Sequence, residues 1–541
     1  MWLSEDHSQR KGRNAVQQFI AKHQDEIAGV LSGFDRLVLR GTLRSIAYAE
    51  GMHQYLWNNQ VLLKDFGAHV EQVSQRLKAA SLAEANATRR PVRYLASAEV
   101  SKEDIARRIA ADDGITHGPV CVLTSVEPCR TFEIYRNRDT KHLELQPRVR
   151  KCLFLYHYAV HPVFGFLNAR IQTWFPFSIQ ICLNGREWLA RQMDAVGLSY
   201  LRHDNCFPWV EDWPRAQHLL DQQLTVEWPA LLDGLARTLN PIHDEIFQAR
   251  PTTYYWTTYQ SEWAIDLSFR TAAELGRLYP RLLQHAMTTF GSTDIMRFLG
   301  RRISLNGDLP KQFDGQVVSD LRQRQEGVRI KHRLNDNSVK LYDKAYTELG
   351  NVLRAEATLN TVTDFRVYRP KEGAPEGGLA WRALRRGIAD LHRRGEVSRK
   401  ATERYLDALA SVDLDTTLED VLLRLGQPTY WHGRRVRALQ PFAPDDRKLI
   451  QAISRGEFAL NGVRNRDLQR LCFVQPATTP TEARRRSAWA SRKLRLLRAH
   501  GLIHKVTGTH RYHLTKAGRT VTTAILTALR SSVRQLTAAA A

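Results

Sequence analysis

The sequence predicts an α+β multidomain protein, with a mixed or antiparallel-sheet N-terminal region, a helical connector and a C-terminal module of helices and one hairpin. Three observations predict it. Short apolar or alternating runs recur between residues 91 and 359; two of them, 328–334 and 339–343, flank the turn-forming Asn335-Asp336-Asn337-Ser338. The Pro- and Gly-rich stretch 370–378 (PKEGAPEGG) has linker composition and is followed, up to residue 425, by helical periodicity alone. Charge gathers at one end: of a net +23 over 541 residues, +14 lies in 441–541, +3 in 371–440 and +6 in the first 370.

Taken in order, residues 12–32 form an amphipathic pattern expected to be a helix, and 34–46 a strand and turn leading into another. Residues 66–90 are helical in pattern. The apolar run 119–124 (PVCVLT) is of buried-strand type, with further strands expected at 152–158 and 177–183. A turn at Asn184-Gly185 precedes a helix over 187–196. The aromatic stretch 250–265 is read as a strand and 270–290 as a helix; 352–359 adds a third strand to the 328–343 hairpin. Helices are expected over 380–393, 398–411 and 416–425. This divides the chain into a mainly helical part (1–90), an α/β domain (91–235), an α+β domain (236–369), a linker (370–378), a helical connector (379–440) and a basic domain (441–541).

Hydrophobic residues make up 43% of the chain, enough for a sizeable core, and a pI of about 10 points to a polyanionic partner. The six cysteines include no C-x-x-C pair, which argues against a zinc ribbon. There is no Walker A loop, dinucleotide-binding glycine pattern or Gly-x-Ser-x-Gly elbow. No run of eighteen apolar residues occurs, and the first residues lack a signal-peptide core; a cytoplasmic protein without a membrane partner is expected.

In the last hundred residues, 445–454, 465–471 and 481–500 are helical, the third ended by Gly501. Residues 503–506 and 511–514 flank Thr507-Gly508-Thr509-His510 as a hairpin, and Thr515 caps a helix over 516–536. This order, with Leu494-x-x-Leu497-x-x-x-Gly501-Leu502-Ile503 and then Leu514-Thr515-x-x-Gly518, resembles the winged helix-turn-helix of MarR-type regulators over about 90 residues. The third helix carries Arg484, Arg485, Arg486, Ser487, Ser491 and Arg492 in its N-terminal half, the half that enters a major groove. The wing offers Lys505, Thr509, His510 and Arg511 for backbone or minor-groove contact. Nucleic acid is therefore the expected partner, DNA before RNA, with a homodimer as one expected state.

Tyr342-Asp343-Lys344 at a strand end, followed by Arg354-x-Glu356, resembles a segment of rolling-circle replication initiators over some 30 residues. The resemblance implies a divalent metal, Mg2+ or Mn2+, near Glu356, with His332 or Asp343 beside it. It also implies a tyrosine nucleophile, Tyr342 or Tyr346, and charge neutralisation by Lys340, Lys344 and Arg354. The His-x-His triplet of such nucleases is absent. An antiparallel sheet whose Lys and Arg simply meet solvent or nucleic acid is the alternative.

Basic and aromatic residues interleave over 148–188. Arg148, Lys151, Arg170 and Arg186 are candidates for a single-stranded nucleic-acid surface, and Trp174, Phe175 and Phe177 for stacking or for core. His157 and His161 could share a helical face, and Asp204 and Asn205 are polar site candidates. Together these features predict a DNA-binding protein of a bacterial or mobile element that initiates replication or processes DNA. If it is an enzyme, it is a metal-dependent nicking or strand-transfer endonuclease. A non-catalytic winged-helix regulator and an RNA-binding ribonucleoprotein component are the alternatives.

Overall fold

A computed structural model describes residues 16–96, 100–301, 316–324, 327–344, 350–371, 373–374, 376–410, 418–455, 458, 462–473, 475–506 and 508–532. Tyr346 and Thr507 lie outside these residues. Thirteen strands precede residue 360: β1 (Ile27–Thr42), β2 (Val92–Tyr94), β3 (Gly118–Arg136), β4 (Leu143–His161), β5 (Gly165–Gln172), β6 (Ile179–Asn184), β7 (Tyr200–His203), β8 (Cys206–Val210), β9 (Tyr255–Phe269), β10 (Val317–Arg324), β11 (Gly327–Leu334), β12 (Asn337–Asp343) and β13 (Val352–Leu359). Eleven of them form one sheet in the order β10-β11-β12-β13-β9-β1-β6-β5-β4-β3-β2; β7 and β8 form a separate hairpin. Every neighbouring pair in the large sheet is antiparallel except β2 and β3. The fold is α+β, as expected. The divisions expected at 90/91 and 235/236, however, fall inside this sheet, because β1 lies between β9 and β6.

The helix expected over 12–32 stops at Lys22, and residues from Ile27 onward pair with β9 instead. Tertiary packing decides this. A Cβ on Gly29 would lie 1.9 Å from the Trp213 ring, so β1 is the strand on which the helix Trp213–Asp221 can sit closest. β6, and the middle of β5 from Leu167 to Ile171, alternate between buried and half-buried residues, the pattern of a sheet with one covered and one more open face. The helix Leu391–Leu409 covers the buried face at β9 and β13. A Cβ on Gly395 would meet Trp263 at 3.0 Å and Phe34 at 3.3 Å. The buried Arg394 beside it donates to Ser261 Oγ (2.7 Å) and to the carbonyl oxygens of Thr258 (3.0 Å) and Leu359.

The 370–378 stretch is not an interdomain linker. It connects β14 (Arg366–Arg369) to β15 (Ala380–Ala383) as a hairpin, so no helix starts at 380. One continuous helix from Leu391 replaces two of the three expected, and its Tyr405, Leu406 and Leu409 belong to the main core. A further hairpin, β16 (Thr429–Trp431) and β17 (Arg434–Val436), precedes the last unit.

That unit has its own core, which includes Leu449, Ile450, Leu468, Leu494, Leu497 and Ile525. Its helices are Pro444–Ile453, Asn465–Cys472, Pro480–Ala499 and Lys516–Arg530. β18 (Val463–Arg464), β19 (Ile503–Lys505) and β20 (Arg511–Leu514) form a sheet in the order β18-β20-β19. Local signals place these elements well. Thr479 accepts from the Glu482 N–H at 3.2 Å, and Gly501 ends the long helix at φ +70°. Thr515 Oγ1 accepts from the Gly518 N–H at 2.8 Å and donates to the Gly501 carbonyl at 2.6 Å. A Cβ on Gly518 would lie 1.9 Å from the Leu502 carbonyl oxygen, which explains the glycine of the Leu-Thr-x-x-Gly segment. No described helix is long and apolar enough to cross a membrane.

Candidate functional site

The face of the large sheet opposite the helix Leu391–Leu409 carries a carboxylate cluster built by register, in a region where β13 is buried throughout. Arg354 pairs with Asp266 across β13 and β9, and Thr358 with Glu262, so Arg354, Glu356, Asp266 and Glu262 share one face at period two. On β12, Lys340 stands opposite Glu356 and Tyr342 opposite Arg354. Between Phe34 and Arg36, β1 slips one residue against β9, leaving Asp35 as the bulged residue. A bulge re-aims a side chain. Phe34 packs on Trp263 in the covered core, while Asp35 turns to the opposite face beside Arg354.

Asp35, Glu262 and Glu356 therefore converge from three adjacent strands, each with an oxygen within 4.8 Å of the others. Asp35 and Glu356 are buried and Glu262 is half-buried. Lys340 Nζ lies 2.5 Å from Glu356 Oε1 and 3.5 Å from Glu262 Oε1. Arg354 contacts Asp266 at 2.5 Å and Asp35 at 3.2 Å, and donates to the Asn205 carbonyl at 2.6 Å. Arg186 contacts Asp266 at 2.9 Å. Asn205, in the β7–β8 turn, donates Nδ2 to Asp35 at 3.2 Å and accepts from Lys344 Nζ at 2.9 Å.

The acids divide into two kinds. Burial opposes the charge of Asp266, but Arg186 and Arg354 overcome it and hold the carboxyl at about 2. Burial likewise opposes the charge of Glu356, and Lys340 brings it below the usual value. At Glu262 burial wins, with Glu356 adding repulsion, and the carboxyl rises to about 6. Burial also raises Asp35. Asp266 is thus an ion-pair anchor, whereas Glu262 and Asp35 hold their charge at a cost that a cation would relieve. An all-oxygen donor set suits a hard divalent ion such as Mg2+ or Mn2+.

Of the residues expected at a metal or catalytic site, Tyr342, Lys344, Arg354 and Glu356 are brought together here. Asp343 and His332 are not. Asp343 alternates with Tyr342 and so leaves β12 from the opposite face. His332 pairs with Val339, which pairs with Ala357, placing it on the covered face. There it meets Ser319 Oγ at 2.8 Å and packs edge-on to Phe290 and Tyr405, and burial lowers its pKa to about 4. Burial, then Glu356, raises the Tyr342 hydroxyl above its ordinary value.

Arg186 is fully buried and cannot belong to an exposed nucleic-acid surface. Arg148 is exposed beside Glu133, and Lys151 is exposed. Arg170 is half-buried against Glu127, Tyr156 and Gln180. Phe175 and Phe177 are core residues and Trp174 packs against that core. His157 and His161 lie on strand β4, not on a helix. His157 meets Ser81 Oγ at 3.0 Å, and His161 Nδ1 accepts from the Val163 and Phe164 N–H groups.

On the long C-terminal helix, Arg484, Arg485, Ser491 and Arg492 are exposed. Ser491 Oγ and the Ser487 carbonyl both accept from Asn465 Nδ2 at 2.9 Å, tying this helix to its predecessor. Arg486 has a structural job: it bonds Glu482 and the Gln475 carbonyl and stacks over Phe473 at 4.6 Å. Thr509 closes the β19–β20 turn through the Val506 carbonyl and the Arg511 N–H, while Lys505 and His510 are exposed. Arg511 joins Arg464, Arg466 and Arg470 around a shallow depression, three arginines that sequence reasoning missed.

Sequence reasoning also missed Asp35 and Glu262. A partial signal existed for Glu262: it sits four from Asp266 on β9, as Arg354 sits two from Glu356 on β13, so each pair shares one face of its strand. The chain has no significant match among protein-family models, curated proteins or solved structures.

Proposed function

We propose that the chain is a metal-dependent DNA-processing protein of the kind that nicks DNA or initiates its replication. Its C-terminal unit, read as a winged helix, docks on duplex DNA through Arg484, Arg485, Arg492 and the Lys505–His510 wing. The observation that carries the catalytic part is the convergence of Asp35, Glu262 and Glu356 from three neighbouring strands, next to an open sheet face. These three residues would hold a divalent ion. When bound, such an ion polarises a phosphoryl oxygen and offsets charge developing on the phosphate.

The chain's own residues divide the remaining work. Arg354 fixes Asp35, and Asn205 holds Asp35 and Lys344 in one network. Lys340 keeps Glu356 ionised and stands beside the reacting region as a cation. Tyr342 keeps its proton, since burial and Glu356 both oppose its ionisation. Attack by water therefore fits this site better than a tyrosine-linked intermediate. One observation favours a second reading, a non-catalytic regulator: Lys340 already neutralises part of the cluster's charge.

Incubating the purified full chain with Mg2+ or Mn2+ and supercoiled or single-stranded DNA separates the two. Metal-dependent cleavage that Glu262→Gln and Glu356→Gln abolish, with duplex binding intact, supports the catalytic reading. Duplex binding without any cleavage across varied substrates leaves the regulator.

A further inference from the structure

We propose that the open face of the sheet beside the carboxylate cluster is a binding track for single-stranded nucleic acid, built on a cross-strand row of Tyr259, Arg40, Gln180 and Arg170. The inference rests on the reading of that cluster as a phosphodiester site and names its substrate class.

The row is set by register. Arg40 of β1 stands opposite Gln180 of β6, which stands opposite Arg170 of β5. On the other side β1 and β9 slip between Val38 and Leu39, so Tyr259 is bulged out of β9. The Arg40 guanidinium stacks over its ring at 4.3 Å. Four side chains thus cross four strands, roughly 14 Å at ordinary strand spacing. Arg36, opposite Glu262, lies on the same strand as Arg40 and leads from the row to the cluster. A second bulge has therefore done for Tyr259 what the first did for Asp35.

The chemistry of the row is that of single-strand recognition: an aromatic face for a base, cations for the phosphates and an amide between them. Tyr259 is 44% exposed, an unusual placement for a tyrosine in the middle of a sheet, and Arg36 is exposed. Among the described residues neither Arg36 nor Arg40 forms an ion pair. Burial, and the like charges of Arg170 and Arg386, lower the pKa of Arg40, although Tyr259 opposes the effect. Arg170 is paired with Glu127 at 3.1 Å, so the unpaired cations here are Arg40 and Arg36, beside a carboxylate cluster that would attract a metal and repel a bare phosphate chain. Gln180 is held in place, accepting from Arg170 at 3.1 Å. A flat row one residue deep suits an unpaired strand that lays its bases on the sheet, whereas duplex bases are already stacked and hidden from a tyrosine ring.

The test uses the full chain and a fluorescein-labelled, roughly 16-nucleotide single strand, with a duplex of the same sequence measured in parallel by anisotropy. Tyr259→Ala should weaken single-strand binding about tenfold, in the range of one lost base stack, and Tyr259→Phe should retain it. Arg40→Gln should lower the salt slope of single-strand binding by about 0.7. Duplex affinity should stay unchanged in all three variants. Folded variants, by thermal melting, that bind the single strand as tightly as wild type overturn the track. Failure of the underlying reading looks different: wild type would then show no metal-dependent cleavage, even if Tyr259-dependent single-strand binding persists.

Discussion

Glu262 is the residue at which burial and function pull in opposite directions. Its carboxyl sits at about 6 against an ordinary 4.5, so the folded state favours its protonated form. Its contribution to stability is fully present below pH 4.5 and is lost as pH rises through about 6, a change of roughly 2 kcal/mol. Glu262→Gln should therefore match wild type near pH 4.5 in urea titrations and exceed it by about that amount at pH 7.5. Saturating Mn2+ should close the gap at pH 7.5 by stabilising only the wild type. A gap that does not change with pH would sink this account of Glu262. Asp266 is the control. Asp266→Asn leaves the buried Arg186 and Arg354 without their shared anion and should cost about 3–5 kcal/mol at neutral pH, with or without metal.

At the scale of elements, two bulges in the β1–β9 pairing decide which side chains leave the covered core. One turns Asp35 into the buried carboxylate cluster and the other brings Tyr259 to solvent. The long helix Pro480–Ala499 divides its arginines by partner rather than by position. Arg485 is exposed, whereas Arg486 clamps Glu482 and the Gln475 carbonyl. Arg485→Ala should weaken duplex binding and lower its salt slope by about 0.9, with no change in melting temperature. Arg486→Ala should instead lower the melting temperature. Equal effects of the two substitutions on binding and stability would show that the division is wrong.

At the scale of the whole molecule, the main core and the core of the C-terminal unit meet at the last helix. Arg519, on the last helix, donates to the Thr289 carbonyl at 2.7 Å and meets Asp294 at 3.3 Å. A cavity of about 950 Å³ lies at this junction, lined from one side by Phe290, Arg297 and Phe298 and from the other by Lys505, Tyr512 and Arg519. Arg519→Ala should split calorimetric unfolding into two resolved transitions. A single transition at the wild-type temperature would mean that Arg519 does not couple the units.

The sequence by itself determined the helices and the β19–β20 hairpin of the C-terminal unit, because their signals are local; β18 was not legible. Thr479 and Thr515 cap helices within three residues of themselves, Gly501 ends one, and Gly518 meets the Leu502 carbonyl. It also determined the 328–343 hairpin and the 352–359 strand beside it, where alternation and a polar turn lie in one short window. The carboxylate cluster was legible only at Glu356. Asp35, Glu262 and Glu356 are far apart in sequence, and neither bulge leaves a local mark. A one-residue slip exists only in the pairing of two strands, and it alone turns Asp35 into the buried cluster and Tyr259 out to solvent. Tertiary structure decided His332 and Arg186 as well. Alternation along the sheet carried His332 to the covered face, and Asp266, eighty residues away, drew Arg186 into the core.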